Sequence, residues 1–465
     1  MTSFLQAAAL GFVFLLAWTL ISSPAPAAET EGSGTKLRLA SFDVEATPPV
    51  GSMMAYDRVR RVDELGLRCR GVVILGAGEP IALCAIDWIG IANEGHDVFR
   101  ETVARAAETT PDRVAVHTLH QHDAPRCDFG AERLLHAAGA TDLGAHEGSF
   151  AREVLRRLAA AVEQSIPRAQ PLTHAGFGTA EVDDVASNRR IVGDTGKVEA
   201  TRYTATRDAK LRALPVGTID PQLTSLSFWD GERPLATLTY YACHPQSYYR
   251  TGVPSPDFPG IARFMLGQEQ PDVLRVHFNG AGGNIGAGKY NDGTPANRLT
   301  LASRLADAMR RADASTERFS IGPADVGWST RGVALPVAPH LNRQELQSRL
   351  SSWKSGEYWG SPDKLAWVLR REAGHEIELG MLRIGEVRVL HMPGELFVEY
   401  QLAAKAMRPD LRVAMAAYGD YGPGYIGTAA AYAEGGYETS EPASNVAPGS
   451  EQVLMDGMRA LLEKK

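Results

Sequence analysis

Apolar runs and amphipathic segments alternate along most of the chain, and this alternation predicts both strands and helices. Short apolar runs next to turn signals predict strands, and apolar residues spaced three and four apart predict helices. The predicted strands cover residues 72–75, 81–86, 114–119, 223–228, 235–243, 274–278 and 412–417, with a hairpin over 376–390 that turns at 384–386. The predicted helices cover residues 96–107, 150–164, 258–266, 298–311, 396–407 and 452–462. This mixture predicts an α/β fold, with mixed β-sheets flanked by helices in a single large catalytic-type domain over 37–465.

The first thirty residues differ from the rest of the chain. Residues 5–21 are almost wholly apolar, and the small residues Ala-Pro-Ala follow at 25–27. This order predicts a signal peptide over residues 1–28, a flexible lead-in over 29–36, and export to the periplasm or out of the cell. No Lys or Arg precedes the apolar run, and the run is nearly long enough to span a bilayer, so an uncleaved anchor is the alternative.

Charge and cysteine content narrow the functional classes. The 465 residues include 48 Lys and Arg and 55 Asp and Glu, which gives a net charge of −7. Because nucleic-acid-binding proteins normally carry a basic surface, we expect no nucleic-acid partner. Membrane contact is expected only through a lipid substrate or an uncleaved anchor, and the oligomeric state is not indicated. The sequence allows either disulfides or buried free thiols for its four cysteines: Cys69, Cys84, Cys127 and Cys243.

Histidines follow two of the predicted strands. His120 and His122 come after the strand at 114–119, and residues two apart in an extended chain face the same side. Histidine is a common ligand of catalytic zinc, which needs about three protein ligands and one open position. The alternative for this segment is a polar turn. His244 ends another apolar run, and there it is either a site residue at a sheet edge or a hydrogen-bonded core histidine.

Three further segments carry candidate chemistry. The glycine-rich loop at 279–293 lacks the spacing of a phosphate-binding P-loop, so we expect an active-site loop and no nucleotide. Glu395 precedes the helix at 396–407, where the helix dipole alone favours a negative charge. Tyrosines lie among glycines in residues 418–438, where they serve either ligand binding or ordinary packing.

Taken in order, these segments resemble the neutral/alkaline non-lysosomal ceramidase family over about residues 43–444. Residues 120–125 resemble the family's His-Thr-His-Ser-Gly-Pro segment, and 241–244 its Phe-Ala-x-His segment. Residues 393–395 match its Pro-Gly-Glu segment, and 424–428 resemble its Gly-Tyr-Val-Thr-Thr segment. The resemblance implies a Zn²⁺ site with four ligands: His120, His244, Glu395 and Tyr425. It also implies three further site residues: His122 beside the ligands, Arg189, and Tyr437 in contact with substrate.

Two departures from the family pattern concern the reaction. Family ceramidases place a serine nucleophile in an Asn-Ala-Gly-Asp-x-Ser-Pro segment, and Gly286 stands at the corresponding position here. Full-length ceramidases also continue into an immunoglobulin-like C-terminal domain, whereas this sequence stops at Lys465. The resemblance therefore implies a divergent member of the family, and it leaves open whether ceramide itself is the substrate.

Intact ligands beside a missing nucleophile lead to a specific hypothesis. Zinc lowers the pKa of water to about 7, so that water attacks a carbonyl without a serine. His122 or Asp123 would be the general base, and zinc or Tyr437 would stabilise the oxyanion. We therefore expect a secreted zinc-dependent hydrolase of an N-acyl-sphingosine-like amide or a related bond. The alternatives are a hydrolase of a different amide or ester, and a secreted metal-containing binding protein without turnover.

Overall fold

Three β-sheets carry most of the strands in the computed structural model, which describes residues 36–353 and 361–463. The first sheet has five strands in the order Val114–Thr118, Ile81–Ile86, Arg68–Leu75, Arg38–Glu45 and Gln170–Pro171. The second has five in the order Leu274–Asn279, Arg233–Tyr241, Gln222–Asp230, His174–Glu181 and Glu317–Ser320. The third has four in the order Val326–Val333, Ile377–Ile384, Val387–His391 and Arg412–Ala416.

Each of the three sheets is antiparallel except for one parallel pair of strands. The parallel pairs are Ile81–Ile86 with Val114–Thr118, Arg233–Tyr241 with Leu274–Asn279, and Val387–His391 with Arg412–Ala416. A parallel pair needs a crossover, and a helix supplies it in each case. The three crossover helices are Glu94–Ala106, Asp257–Glu269 and Val398–Met407. Each sheet therefore contains one strand–helix–strand unit.

The sheets face one another across a shared apolar core, and helices cover their outer faces. In the first sheet, Leu39 and Val72 point into the shared core, while their neighbours Ala40 and Val73 pack against the outer helices. This is the period-two alternation of a strand that is buried on both faces. The outer layer contains the crossover helices and five others of nine or more residues: Phe129–Ala137, Ser149–Ser165, Pro295–Ala314, Ser361–Glu372 and Ser450–Leu462.

Short elements complete the described part of the chain. Three further helices are Ala209–Ala213, Arg343–Leu350 and Ala429–Glu434. Four two-stranded pairs lie outside the large sheets: Gly90–Ile91 with Arg126–Cys127, Ser187–Asn188 with Ile285–Gly286, Arg190–Val192 with Val198–Thr201, and Glu395–Leu396 with Tyr425–Ile426. The last of these pairs is parallel and joins two of the predicted zinc ligands.

The predicted fold class is confirmed: the structure is a mixed α/β domain with helices flanking mixed sheets. Every predicted strand and helix overlaps an observed one, with ends that shift by a few residues. The predicted signal peptide at 1–28 lies outside the described residues, as does the lead-in up to residue 35. Across 36–353 and 361–463, no helix is both long enough and apolar enough to cross a membrane.

Candidate metal centre and active-site cleft

The candidate ligands come together at the ends of strands from all three sheets. His120 follows the strand Val114–Thr118, and His244 follows Arg233–Tyr241. Glu395 follows the strand Val387–His391 in the third sheet. All three strands belong to the parallel pairs, so their carboxyl ends lie at the sheet edges where ligand sites are commonly built.

Backbone hydrogen bonds fix the two histidine rings in one orientation. Nδ1 of His120 lies 2.6 Å from the carbonyl oxygen of Ile89, and Nδ1 of His244 lies 2.8 Å from that of Gly282. A carbonyl oxygen only accepts hydrogen bonds, so Nδ1 carries the proton in both rings. Nε2 of each ring is then a lone-pair donor directed at the site, the arrangement found in metal-binding histidines. Burial lowers the pKa of His120 to about 4, so its ring is neutral at pH 7.

The carboxylate of Glu395 lies between these two rings. Its Oε2 is 3.3 Å from Nε2 of His120 and 3.0 Å from Nε2 of His244. The hydroxyl of Tyr421 donates a hydrogen bond to Oε1. Burial alone would raise the pKa of Glu395, but the hydrogen bond from the Tyr421 hydroxyl stabilises the ionised carboxylate and acts to lower that pKa. The carboxylate is therefore ionised at neutral pH.

The donor set fits a divalent metal ion. Three atoms with lone pairs face one another: the two Nε2 atoms and Oε2 of Glu395, which has no hydrogen-bond donor among the described residues. Nη1 of Arg189 lies 3.5 Å from Nε2 of His244 and offsets part of the repulsion among these lone pairs, and a bound cation would offset the rest. Tyr425 places Oη 3.2 Å from Nε2 of His244. Ligand atoms 2.0–2.1 Å from a tetrahedral zinc lie about 3.3 Å apart, close to the separations seen here. The separations of Glu395 from the two histidines and of Tyr425 from His244 are thus compatible with zinc binding.

His122 lies beside this set and is also able to contribute to a metal site. The ring nitrogens of His120, His122 and His244 come within 4.8 Å of one another. The His122 ring is buried between Tyr56, at a ring-centroid distance of 5.6 Å, and Tyr249, at 5.1 Å. Neither of its nitrogens has a hydrogen-bond partner among the described residues. The ring therefore remains able to bond to a ligand in the cleft.

The carboxylate of Asp123, unlike the ring of His122, is not directed at the candidate ligands. Its Oδ1 accepts a hydrogen bond from the backbone nitrogen of Arg250 at 2.8 Å, and its Oδ2 accepts one from the hydroxyl of Thr251 at 2.7 Å. The carboxylate thus holds the loop at 250–251, and it does not line the cleft. Of the two predicted candidates for the general base, only His122 faces the site.

Arg189 and two tyrosines form the opposite side of the site. Nη1 of Arg189 lies 3.2 Å from Oη of Tyr425 and donates a hydrogen bond to it. Nε of Arg189 lies 3.4 Å from the carboxylate of Glu438. The guanidinium also lies 5.9 Å from the ring centroid of Tyr437. Tyr437 is 39% exposed, and partial burial raises its pKa to about 12, so its hydroxyl stays protonated at neutral pH.

Gly286 borders the same region. It pairs with Ser187 in a two-residue strand. A Cβ atom at position 286 would lie 2.8 Å from Cγ2 of Thr204 and 3.3 Å from Cδ of Arg189. The backbone here is thus packed against Arg189 with no room for a larger side chain.

A cleft of about 730 Å³, partly open to solvent, leads to the candidate ligands. Its wall includes His120, His122, Glu395, Tyr421, Tyr425 and Tyr437. A separate cavity of about 470 Å³ is lined by His117 and His391 and includes none of the candidate metal ligands. The cleft is therefore the access route to the site.

Two local predictions are wrong in detail, although the residues still reach the site. The chain at His120 is not extended, because its φ is +68°. Glu395 does not begin a helix: it lies in a two-residue strand paired with Tyr425, and the helix begins at Val398. Glycines make this pairing possible, since Gly394 and Gly424 have φ of +58° and +64°, conformations that residues with a Cβ rarely adopt.

Sequence reasoning missed the residues that support the ligands. Tyr421 belongs to the tyrosine-rich segment, but nothing in the sequence separates it from Tyr418 or Tyr432. The carbonyls of Ile89 and Gly282 carry no sequence signal, because every residue has one. Tyr56 and Tyr249 enclose His122 but lie outside every motif.

Comparisons with known proteins support the fold. No family model matches the sequence, and no curated protein matches it. Among solved structures, the neutral ceramidase from Pseudomonas aeruginosa is similar, with a TM-score of 0.63 and 18% identity over 92% of this chain and 75% of that chain. A ceramidase complexed with C2 gives a TM-score of 0.62, again at 18% identity over 92% of this chain and 75% of that chain. The chain therefore has a neutral ceramidase-like fold.

Proposed function

We propose, on the basis of the ceramidase-like fold, that the protein is a zinc-dependent hydrolase that cleaves a carboxylic amide or a related ester. One observation carries the proposal. Nε2 of His120, Nε2 of His244 and Oε2 of Glu395 converge as lone-pair donors, with Oη of Tyr425 beside them. A structural zinc site is closed, whereas a catalytic one keeps an open position. Three of these residues, His120, Glu395 and Tyr425, line a cleft, which favours the catalytic type.

The four ligands would hold the ion, and a bound zinc would supply Lewis acidity and lower the pKa of a water molecule. The remaining chemistry falls to the side chains around it. His122 has two unpartnered ring nitrogens on the cleft, so it is placed to accept a proton from a nucleophilic water. Tyr437 presents a protonated hydroxyl that can donate a hydrogen bond to the carbonyl oxygen as negative charge develops on it.

Arg189 acts as a positioning residue in this scheme. Its guanidinium donates a hydrogen bond to Oη of Tyr425 and so fixes the position of that candidate ligand. Its charge also lies near Tyr437 and would strengthen that hydroxyl as a donor. No serine is required, which agrees with the glycine at position 286.

Amides of the N-acyl type are the first substrate class to test, because the similar solved structures are ceramidases and ceramide is such an amide. Other amides and esters fall within the same chemistry. We further propose that the protein is exported, on the basis of the apolar segment and small-residue sequence before residue 28. A metal-containing binding protein without turnover is the competing function.

Metal content and hydrolysis, measured together, test the proposal. The chelated and the zinc-reloaded protein would be assayed with a fluorescent short-chain ceramide and with p-nitrophenyl acetate, while zinc is counted by mass spectrometry. We expect one zinc per chain, hydrolysis only after reloading, and loss of both in Glu395→Gln. The control is Glu101→Gln, the same change on an exposed helix face away from the cleft. Bound zinc without hydrolysis of either compound would favour the binding protein instead.

A further inference from the structure

The apolar side chains of the cleft wall are mainly aromatic, which bears on the substrate. Among the described residues, no Leu, Ile, Val, Met or Phe lines it, and its aliphatic part consists of Ala92, Ala443 and Pro442. The rest is tyrosine, histidine, glycine, asparagine and charged side chains. Binding a long hydrocarbon chain requires apolar surface to replace water. The described wall offers such surface as tyrosine rings and three small side chains, and it has no aliphatic channel that would match a long chain.

Three buried oxygen atoms in this wall lack hydrogen-bond donors. They are Oδ1 of Asn93, Oδ2 of Asp363 and Oδ1 of Asn445, and none has a partner within the described part of the chain. All three side chains are less than 10% exposed. Buried acceptors are almost always satisfied in folded proteins, so three together in one wall require an explanation.

The orientation of these groups is set by their other atoms. Nδ2 of Asn93 donates to Oδ2 of Asp128 at 2.7 Å, and Nδ2 of Asn445 donates to the carbonyl oxygen of Gly422 at 2.9 Å. Because both nitrogens face acceptors, the amides cannot be flipped without loss. Oδ1 of Asp363 accepts from Arg126, which leaves Oδ2 free. The unpaired atoms are therefore acceptors, and their partners must be donors.

These acceptors lie next to the loop that carries the metal ligands. The backbone nitrogen of Asn93 donates to Oδ1 of Asp420 at 2.8 Å, as does that of Gly422 at 2.9 Å. Gly422 lies between Tyr421, the partner of Glu395, and the ligand Tyr425. A molecule whose carbonyl reaches the metal site through the cleft would thus place its other end near the acceptors.

We infer that the substrate is a short-chain N-acyl derivative of a hydroxyl-rich amine, with an N-acetylated amino sugar as the simplest example, and not a long-chain lipid. Its hydroxyl groups would donate to Asn93, Asp363 and Asn445. The tyrosine rings of the cleft would pack against its less polar faces. This inference rests on the proposed hydrolase function and narrows its substrate class.

The experiment compares two substrates on the zinc-loaded protein, with p-nitrophenyl acetate as a measure of the chemistry alone. We expect release of acetate from N-acetylglucosamine and little or no fatty acid from a long-chain ceramide. Faster turnover of the ceramide would overturn the inference and leave the hydrolase function intact. If p-nitrophenyl acetate is not cleaved, the proposed hydrolase function is wrong. The preference for a sugar over a lipid is then tested by measuring ligand binding.

Binding is measured by equilibrium dialysis with labelled N-acetylglucosamine and labelled laurate. We expect the sugar to bind more tightly than laurate and Asn445→Ala to weaken sugar binding by about tenfold, the value of a lost hydrogen bond. The control Asn297→Ala removes an amide outside the cleft and should bind like the wild type. Thermal unfolding shows whether each variant is folded. Tighter binding of laurate than of the sugar to the wild-type protein would overturn the inference, whatever the variants do.

Discussion

The hydroxyl of Tyr421 donates a hydrogen bond to Oε1 of Glu395, and this bond determines which carboxylate oxygen faces the histidines. The ring of Tyr421 also stacks on His120, with a centroid distance of 5.4 Å. Tyr418 stacks on the same imidazole at 4.9 Å, but its buried hydroxyl has no partner among the described residues. Two similar tyrosines thus differ in one hydrogen bond, which makes them a matched pair for mutagenesis.

Replacing Tyr421 with phenylalanine should weaken zinc binding. The change removes the donor from Oε1 and frees the carboxylate to rotate away from His120 and His244. Loss of such a supporting hydrogen bond typically lowers metal affinity by about 10- to 100-fold. Competition with a chromogenic chelator measures the affinity. Tyr418→Phe is the control and should bind zinc like the wild type, so an equal loss in both variants would contradict the assigned role of Tyr421.

A serine at position 286 should not create a better enzyme. Its Cβ would lie 2.8 Å from Cγ2 of Thr204 and 3.3 Å from Cδ of Arg189, so both side chains must yield, and Arg189 is the residue that donates to Tyr425. We expect Gly286→Ser to lower the rate of hydrolysis and to cost about 1–3 kcal/mol of unfolding free energy through overpacking. Gly286→Ala adds the Cβ without the hydroxyl and should behave alike. A gain in ceramide hydrolysis that is confined to the serine variant would show that the hydroxyl, rather than its absence, suits the site.

Acid should destabilise the protein partly through His277. This residue is buried, and burial lowers its pKa to about 3 from about 6.5 in an unfolded chain. Below pH 6.5 the unfolded chain binds a proton that the folded chain excludes, so the free energy of unfolding falls as the pH drops and rises again as the pH is raised. At pH 5 this single group should lower the free energy of unfolding by about 2 kcal/mol relative to its value at pH 7.5.

The variant His277→Gln isolates that contribution. Glutamine does not titrate, and it can keep a hydrogen bond to Thr239, whose hydroxyl lies 2.8 Å from Nδ1 of His277. Urea unfolding of both chelated proteins at pH 7.5 and pH 5 gives the comparison. Wild type should lose about 2 kcal/mol more than the variant between these two pH values. An equal loss of unfolding free energy in the wild type and the variant would mean that His277 is not a buried neutral group.

The four cysteines should be inert until the protein unfolds. All four are buried and free, although Sγ of Cys69 lies only 3.4 Å from Sγ of Cys84. The hydrogen bond with the thiol of Cys84, together with burial, raises the pKa of Cys69, and burial raises the pKa of Cys127 and of Cys243. A thiol-reactive chromogen should detect no thiols in the native protein and four in guanidinium chloride. Two in guanidinium chloride would instead indicate a disulfide, with the close pair first in question.

The sequence specifies the layers of this fold better than it specifies the site. Continuous apolar runs at residues 72–75 and 81–86 predict two strands, and they are apolar throughout because one face of each strand meets the shared core and the other meets helices. The pairing of Glu395 with Tyr425, in contrast, is not predicted by the hydropathy pattern. It depends on left-handed glycines and on contacts between distant segments, which hydropathy cannot reveal.

The resemblance to ceramidases supplied the candidate ligand set that spacing alone left open. His120 and His244 carry no mark that separates them from ordinary buried histidines until the carbonyls of Ile89 and Gly282 are placed against them. Asp123 is the opposite case, because its sequence position made it a candidate but its side chain does not line the cleft. It adjoins His122 in sequence, yet its carboxylate is occupied by residues 250 and 251. Two residues that are adjacent in the sequence therefore have side chains in different surroundings beyond the end of this strand.

Under the proposed metal-dependent function, the position of the candidate ligands on three separate sheets has a consequence for how the protein matures. A chain with only its first two sheets in place can offer His120 and His244, but it lacks the carboxylate and the phenol, which come with the third sheet and with residues near the end of the sequence. High-affinity metal uptake must therefore wait until synthesis and folding are nearly finished. Metal occupancy then reports the integrity of the whole molecule, and any opening that separates two sheets would release the ion.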